Sequence, residues 1–337
     1  MKNLLKTLCD TDFLGSVHTT ADVIKREIAP YVSECVSDHT GTVFARVLGR
    51  DHSKTTLLEA HIDQVGFVVT NVFDDGFVKV SKMGGPDIRV TPSLSVNILG
   101  REVVKGVFTS TPPHLAKDKR DEFSTLDEVF VDTGRPDVRL LVREGDEVVF
   151  DSAATDLLGD FITAKSLDNR AGCACLVDVV KRLANTTPDN DILVVFASGE
   201  ELGNRGARVA AFDKNISEAI ILDVSFAYTP GCAREHCGDA GKGAMIGVSP
   251  ILDKSMTERL VALANDNDIP HQFEPMGSLT STDADVVSVT ECGIKTSLIS
   301  IPIKYMHTPI ETVKISDVQS VADIVYLYIT QGGQSVC

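Results

Sequence analysis

The sequence contains no long hydrophobic run and no apolar signal segment. Its apolar stretches are short, as at Ala219–Leu222, whereas a membrane-spanning helix requires about 20 apolar residues. The first residues are interrupted by Lys6, Asp10 and Asp12, which leaves no apolar core for a secretion signal. We therefore expect no membrane span and predict a cytoplasmic protein.

Basic residues are scarce relative to acidic ones. The chain has 32 Lys and Arg against 48 Asp and Glu, which gives a formal net charge of −16 at pH 7. Nucleic-acid backbones recruit clustered Lys and Arg, so this balance argues against nucleic-acid binding. An acidic surplus is compatible with carboxylates gathered around cations, but it does not by itself indicate a metal site.

Paired cysteine motifs are also missing. None of the eight cysteines forms a CxxC pair, which excludes a zinc ribbon and a thioredoxin-type motif. Cys232 and Cys237, with His236 between them, are an alternative set of metal ligands, but reduced thiols of a cytosolic protein are the simpler interpretation.

One region of the chain has a pattern typical of short antiparallel strands. Phe67–Thr70 and Phe77–Val80 flank the turn signal Asp74–Gly76, as in a hairpin. Further strand-like segments are Leu94–Leu99, Val103–Thr109 and Leu140–Val149. We predict an all-β module at about residues 67–155, with a surface helix or loop at Ala116–Glu128.

Elsewhere strand-like and helix-like segments alternate along the chain. The strand-like segments are Val43–Val47, Thr56–Ala60, Asp191–Ala197, Ala219–Val224 and Lys295–Ile301. The helix-like segments are Ala21–Val36, Ala171–Leu183, Asn204–Ala211, Ser255–Asn267 and Ser316–Tyr328. This alternation is typical of a parallel-type sheet covered by helices on both faces. We predict one α/β domain made of Met1–Gly66 and Asp156–Cys337, interrupted by the β module.

Five separate segments each place a His, Asp or Glu at or near the end of a predicted strand or at a helix start. These residues are His61, Asp63, Asp168, Glu200, Glu201, Asp223 and His307. In open α/β sheets ligands bind outside the carboxyl ends of the strands, so we expect these side chains at one edge. Imidazole and carboxylate groups are preferred ligands of zinc and neighbouring divalent ions. The pattern predicts a metal site.

Each of these residues has a simpler interpretation when it is taken alone. A single histidine such as His61 is often structural, and Asp168 before a helix is typical of an N-cap. Glu200 and Glu201 are typical of a solvated charge pair. Asp223 is harder to explain in this way, because a carboxylate after an apolar strand is costly unless it is paired or liganded. The joint pattern, rather than any one residue, favours the metal site.

Five motifs occur in a fixed order along the chain. They are Ala60–Gly66, Ser166–Gly172, Gly199–Ala207, Asp223–Ser225 and Ile301–Glu311, with shorter matches in Gly106–Leu115, Val131–Gly134 and Ser281–Ala284. With these motifs the sequence resembles the dinuclear metallo-aminopeptidases that assemble as tetrahedral particles, the glutamyl and deblocking aminopeptidase family. The resemblance implies an α/β fold like that of zinc peptidases, with a mixed sheet sandwiched by helices and an inserted small β-barrel-like domain.

The resemblance also implies a metal centre in which two divalent ions per subunit, Zn²⁺, Co²⁺ or Mn²⁺, share one carboxylate. Asp168 would bridge the two ions. His61 and Asp223 would complete one site, and Glu201 and His307 the other, although this pairing stays open.

Two further residues take roles in catalysis by the same resemblance. Glu200 would be the general base that takes a proton from water and passes it to the leaving amine. Asp63 would fix the tautomer and orientation of His61, as carboxylates do for metal-bound imidazoles.

The implied substrates are short peptides with a free N-terminus, and the implied assembly is a homo-oligomer of dimers, up to a dodecamer. The β module would mediate subunit contacts, or alternatively would only cover the active site.

The sequence departs from the family pattern at Gln64, where Glu is common, at Lys304, where Arg is usual, and in Leu8–Thr20, which lacks a Ser-Gly-x-Glu pattern. These departures leave the proposed ligands intact but put substrate preference in doubt. The basic residues Arg234, Lys242 and Lys254 have two interpretations. They favour a substrate with an acidic side chain, or they are ordinary surface charges.

Two other classes of function remain open. One is a different hydrolase on a similar core, such as a two-metal carboxypeptidase or deacylase; members of the family have also been labelled cellulases, but a glycosidase needs two carboxylates and no metal. The other is a non-enzymatic binding protein with a vestigial metal site.

Overall fold

The computed structural model describes residues 1–15, 17–116 and 122–331. The α-helices are α1 (Lys2–Cys9), α2 (Thr19–Ile28), α3 (Leu167–Leu183), α4 (Arg205–Ala211), α5 (Lys254–Asp266), α6 (Ala284–Val287) and α7 (Ile315–Thr330). The first eleven strands are β1 (Phe13–Leu14), β2 (Val17–His18), β3 (Glu34–Ser37), β4 (Val43–Val47), β5 (Asp51–His61), β6 (Gly66–Val72), β7 (Phe77–Met83), β8 (Ser95–Leu99), β9 (Val103–Phe108), β10 (Val131–Asp132) and β11 (Glu147–Phe150). The remaining strands are β12 (Thr155–Asp156), β13 (Phe161–Ala164), β14 (Asn190–Ala197), β15 (Ile216–Phe226), β16 (Ala244–Val248), β17 (His271–Pro275), β18 (Lys295–Lys304) and β19 (Glu311–Lys314).

The centre of the fold is a mixed sheet of eleven strands. Its four central strands, in the order β14, β5, β15 and β18, run parallel to one another. Antiparallel strands extend the sheet on both sides, β4 and β3 at one end and β19 and β13 at the other. The predicted α/β class with a mixed sheet is therefore confirmed. Outside the four central strands, β16 and β17 also pair in parallel.

Alternate residues of the central strands enter two different hydrophobic cores. Leu58 and Ile220 pack with α1, α2, α3, α5 and α7 on one face of the sheet. Leu57 and Ile221 pack with α4 and α6 on the other face. Because side chains alternate along a strand, these apolar runs are buried on both faces, which is why they lack a polar–apolar alternation.

A second structural unit is a closed six-stranded barrel, with the strand order β10, β7, β6, β11, β8 and β9. Phe67 lies at its centre and makes edge contacts with Phe108 and Phe150, at ring-centroid distances of 5.1 and 5.7 Å. The predicted inserted β-barrel is confirmed as part of the fold. The exact division of the chain at residues 66/67 and 155/156 stays a prediction.

Two predicted elements end earlier or begin later than expected. The helix predicted at Ala21–Val36 ends at Ile28, and Glu34–Ser37 forms a strand instead. Pro30 lacks a backbone N–H and cannot continue the α-helical hydrogen bonds, so Ala29–Tyr31 forms a single 3₁₀ turn and the chain becomes extended at Val32. The strand predicted at Leu140–Val149 begins only at Glu147, because a turn that includes Gly145, at φ 95°, precedes it.

Several elements were not predicted from the sequence, among them the short strands β13, β16, β17 and β19. The predicted excursion at Ala116–Glu128 lies partly outside the described residues, and Leu126–Glu128 forms a single 3₁₀ turn. None of the helices in the described parts of the chain is long and apolar enough to cross a membrane.

Candidate metal centre and substrate cavity

The sheet carries candidate ligands to one of its edges. His61 is the last residue of β5, and Asp223 lies near the end of the neighbouring parallel strand β15. Glu200 and Glu201 follow β14, which pairs with β5 on its other side. Because the central strands run parallel, these carboxyl ends meet at the same edge, as the sequence predicted.

One group of ligand atoms forms around His61. Its Nε2 atom lies 3.0 Å from Oδ1 of Asp168 and 3.7 Å from Oδ1 of Asp223. The three residues are buried, and their ligand atoms all lie within 4.8 Å of one another. Two carboxylates and an imidazole at this spacing are a suitable donor set for a divalent ion.

A second group forms around His307, which follows β18. Its Nε2 atom lies 3.2 Å from Oδ2 of Asp168 and 3.3 Å from Oε1 of Glu201. These three ligand atoms also lie within 4.8 Å of one another. Asp168 is thus common to both triads, with one carboxylate oxygen towards each histidine. The arrangement has the same pairing of ligands that the resemblance implies.

These two triads are the only groups of three or more potential ligands of this kind within residues 1–15, 17–116 and 122–331. Cys232, His236 and Cys237 do not form such a group. The alternative N-cap interpretation of Asp168 also fails, because its carboxylate oxygens face the two histidines.

Buried carboxylates hold the ligand-bearing loops in place. Glu311 accepts the backbone N–H of His307 through Oε1 at 2.6 Å and that of Asp168 through Oε2 at 3.0 Å. His307 is also fixed by a hydrogen bond of 2.9 Å between Nδ1 and the carbonyl oxygen of Gly85, in the loop after barrel strand β7. That bond places the ring proton on Nδ1 and leaves Nε2 free for a cation.

Asp63 supports the neighbouring loop more than it supports His61. Its carboxylate accepts the backbone N–H groups of Glu200 at 3.0 Å and Glu201 at 3.2 Å. The distance from its Oδ1 atom to Nδ1 of His61 is 3.5 Å, which is an ionic contact longer than a usual hydrogen bond. Its role in orienting His61 stays a prediction, while its contact with the Glu200–Glu201 backbone is direct.

Both histidines bind protons strongly when no cation compensates the surrounding carboxylates. Burial lowers the pKa of His307, but hydrogen bonds to Asp168 and Glu201 outweigh it and raise the value to about 11. Burial likewise opposes protonation of His61, and its hydrogen bonds to Asp168 and Asp63 raise its pKa well above the usual range. The carboxylates around the two histidines therefore need positive charge nearby, which divalent cations can supply in place of protons.

Glu200 lies beside both triads and belongs to neither. Burial, followed by the negative charges of Asp283, Asp168 and Glu201, raises its pKa to about 8. One of its oxygens, Oε1, accepts a hydrogen bond of 3.2 Å from Nδ2 of Asn204, which also donates to Asp283. A carboxylate with such a pKa, held at one oxygen, is suited to accept and return a proton.

A cavity of about 620 Å³ opens in front of the two triads. Its lining includes residues of the segments Asp223–Gly247 and Met276–Asp285. Strand β17 contributes a third wall through Phe273, Glu274 and Pro275, which the sequence did not indicate.

Comparison with known proteins identifies the family. The sequence profile of the M42 glutamyl aminopeptidase family matches residues 41–324. The chain belongs to this family. The predicted resemblance is thereby confirmed, and so is the prediction of an enzyme that hydrolyses peptide bonds.

Individual M42 relatives cover nearly the whole chain. A protein of Acetivibrio thermocellus whose name proposes aminopeptidase activity is 31% identical, over 91% of each chain. The lysyl aminopeptidase of Pyrococcus furiosus is 29% identical, over 92% of this chain and 89% of its own. The structure of an aminopeptidase from the archaeon Desulfurococcus kamchatkensis is similar with a TM-score of 0.91 at 27% identity, covering 98% of this chain and 94% of that one.

Gln64 and Lys304, two of the departures expected from the resemblance, lie outside the triads. Gln64 accepts a hydrogen bond of 2.9 Å from Nη2 of the buried Arg170. The Nζ atom of Lys304 lies 5.4 Å from the ring centroid of Phe161. Neither residue belongs to a candidate ligand group among the described residues.

Asp63→Asn should lower kcat/KM about 10- to 100-fold while the metal content changes little. An amide has only one acceptor oxygen, so one of the two N–H groups of Glu200 and Glu201 would lose its partner. Steady-state kinetics and metal analysis of the purified variant measure this effect. The exposed turn residue Asp75, changed to Asn, is the matched control. Equal activity in both variants would contradict the assigned contact.

Proposed function

We propose that this protein is a metal-dependent aminopeptidase that uses two divalent cations to remove N-terminal residues from short peptides. The observation that carries the proposal is the position of Asp168, which is shared by two ligand triads beside the unliganded carboxylate of Glu200. Zn²⁺, Co²⁺ and Mn²⁺ all suit the His and carboxylate donors.

The two triads would each hold one cation. His61, Asp168 and Asp223 form one donor set, and Asp168, Glu201 and His307 form the other. When bound, two such cations lower the pKa of a water molecule and polarise a scissile carbonyl group. The carboxylate of Asp168 would keep the two sites adjacent. Glu311 would hold the backbone of Asp168 and of His307 in place by accepting their N–H groups.

Glu200 would act as the proton carrier. Its carboxylate takes a proton from the attacking water and returns it to the amine of the departing peptide. The carboxyl group would hold that proton between the two steps. Asn204 holds Oε1 in place, which leaves the other oxygen to meet the water.

The cavity would favour a free N-terminus. A cation held by one of the triads would supply a Lewis-acid site for the unprotonated α-amine of a free N-terminus. An N-acetyl group removes that lone pair and adds bulk, so blocked peptides should be poor substrates.

We also propose that the protein forms homo-oligomers, dimers and up to a dodecamer, through the inserted β domain at residues 67–155. The outward-facing side chains of β9 support this proposal, because Val103 and Val107 are apolar and exposed. Light scattering of the wild-type protein and of a Val103→Asp, Val107→Asp double variant tests it. A change to smaller species supports the barrel as the contact surface.

Hydrolysis of aminoacyl-p-nitroanilides tests the proposed activity. We expect release from free-amine substrates and none from their N-acetylated forms. Chelation should abolish release, and one or more of Zn²⁺, Co²⁺ and Mn²⁺ should restore it. Folded, metal-loaded protein that releases nothing from the whole panel would refute the proposal and favour a different hydrolase or a binding role.

Cation binding should release protons, and its apparent affinity should rise between pH 6 and pH 8. The raised pKa of His307, about 11, means that this histidine carries a proton at those pH values, which a cation must displace. Titration calorimetry in buffers of different ionisation enthalpy measures the number of protons released. An observed enthalpy that does not depend on the buffer would contradict this account of the charge.

A further inference from the structure

Three acidic side chains line the cavity outside the two triads: Glu200, the exposed Glu235, and Glu274. Glu274 lies on β17. Its Oε2 atom accepts a hydrogen bond of 2.7 Å from the hydroxyl of Ser300, and the hydroxyl of Ser225 also bonds to it. Both serines are buried. The carboxylate is therefore held in a fixed orientation.

Glu274 lies close in the fold to the candidate metal ligand Asp223. Ser225 is two residues after Asp223 and projects from the same face of β15. Ser300, on the neighbouring strand β18, is the register partner of Asp223. A peptide whose first residue is cleaved at the triads would thus place its first side chain on the side of the cavity where Glu274 lies.

No positive side chain balances this carboxylate within the cavity. The described residues that line the cavity include no Lys or Arg. Arg234, which the sequence offered as a partner for acidic substrates, instead forms an ion pair with Asp239 and lies over the ring of Tyr228. A desolvated carboxylate without a positive partner is unfavourable, and desolvation accordingly raises the pKa of the half-buried Glu274.

The cavity also has apolar lining residues that suit a long aliphatic chain. They are Phe226, Met245, Phe273, Met276 and Leu279. Lys and Arg side chains combine such a chain with a positive end group, so the methylene groups can pack on these residues while the charge meets the carboxylate. An acidic substrate side chain would instead bring two negative charges together.

We propose that Glu274 is the specificity-determining residue of a subsite that selects a basic N-terminal residue, Lys or Arg. This inference rests on the proposed aminopeptidase activity and adds the substrate class. Glu274 does not act on the reacting atoms. It supplies a fixed negative charge in the cavity wall.

The test compares p-nitroanilides of lysine and norleucine, which share the same aliphatic chain and differ in the terminal ammonium group. Metal-loaded wild-type protein should favour lysine about 30-fold or more in kcat/KM. In Glu274→Gln, which keeps an acceptor for the serines, the ratio should fall to about threefold or less. Its norleucine activity should stay within about threefold of the wild-type value. Glu258→Gln, which removes an exposed charge on α5, is the matched control and should leave the ratio unchanged.

The outcomes separate this inference from the proposed activity. If neither substrate is cleaved by the wild-type protein, the aminopeptidase proposal itself fails. If norleucine and lysine are cleaved equally well, the activity stands and the subsite proposal is overturned. A Glu274→Gln variant that loses the same factor on both substrates would also overturn it, because Glu274 would then only support the strand.

Discussion

Glu200→Gln should lower kcat by about 10³-fold while the metal content stays at the wild-type value. We expect kcat to fall without a loss of metal because the carboxylate of Glu200 lies in the cavity beside both triads but belongs to neither. Glutamine preserves the size of the side chain and can still accept the hydrogen bond from Asn204. It cannot take up the proton that the reaction must move.

Glu201→Gln is the informative comparison, since it is the same substitution one residue along the chain. Glu201 belongs to the His307 triad, so this variant should lose metal as well as activity. Metal analysis by mass spectrometry and kinetics with a free-amine p-nitroanilide measure both quantities. A Glu200→Gln variant that keeps most of its activity would remove the general base from the mechanism. Loss of metal in that variant would instead make Glu200 a ligand.

Asp168→Ala should remove both cations and abolish activity, which is the largest effect expected of any ligand substitution. Asp168 is the only residue that belongs to both triads, and its two oxygens each face a different histidine. Its loss leaves each site with two protein ligands, which is too few to hold a divalent ion firmly.

Asp223→Ala is the matched variant, because it removes a carboxylate from only one triad. We expect it to keep the ion held by Glu201, Asp168 and His307 and to lose the other. Metal content per chain after dialysis against metal-free buffer distinguishes the two variants. If Asp168→Ala still held as much metal as Asp223→Ala, Asp168 would not be the shared ligand.

The sequence was sufficient to predict which strand ends meet. The apolar segments at Thr56–Ala60, Asp191–Ala197 and Ala219–Val224 all became central strands, with ends displaced by only a few residues. Parallel neighbours necessarily end at the same edge, so the convergence of His61, the Glu200–Glu201 pair and Asp223 follows from topology. The periodicity could not show that antiparallel strands extend the sheet on both sides, because short edge strands such as β13 and β19 carry little pattern.

The parts of the site that the sequence did not reveal depend on side chains meeting across large sequence separations. Glu274 lies in the short strand β17, whose sequence ends in proline and gives a weak strand signal. Its serine partners are 49 residues before it, at Ser225, and 26 residues after it, at Ser300. Asn204, in a left-handed conformation before α4, donates to Glu200 and also to Asp283, which lies 79 residues further along the chain.

The same limitation applies to the loop of the barrel that contacts the site. Gly85 accepts a hydrogen bond from His307 across 222 residues of sequence. The turn signals and alternating apolar residues of the sequence predicted the barrel. They could not predict how the barrel lies relative to the candidate metal centre. The contact shows that the inserted barrel lies beside the candidate metal centre and supports one of its histidines.

The most direct test of the central claim is the product ladder from an unblocked peptide. Metal-loaded protein is incubated with a peptide of about ten residues and with its N-acetylated form, and the products are followed by mass spectrometry. The two-cation aminopeptidase account predicts successive loss of single residues from the N-terminus of the free peptide. It also predicts an unchanged acetylated peptide and no cleavage after chelation. Internal fragments, loss from the C-terminus, or equal cleavage of the acetylated peptide would contradict the account.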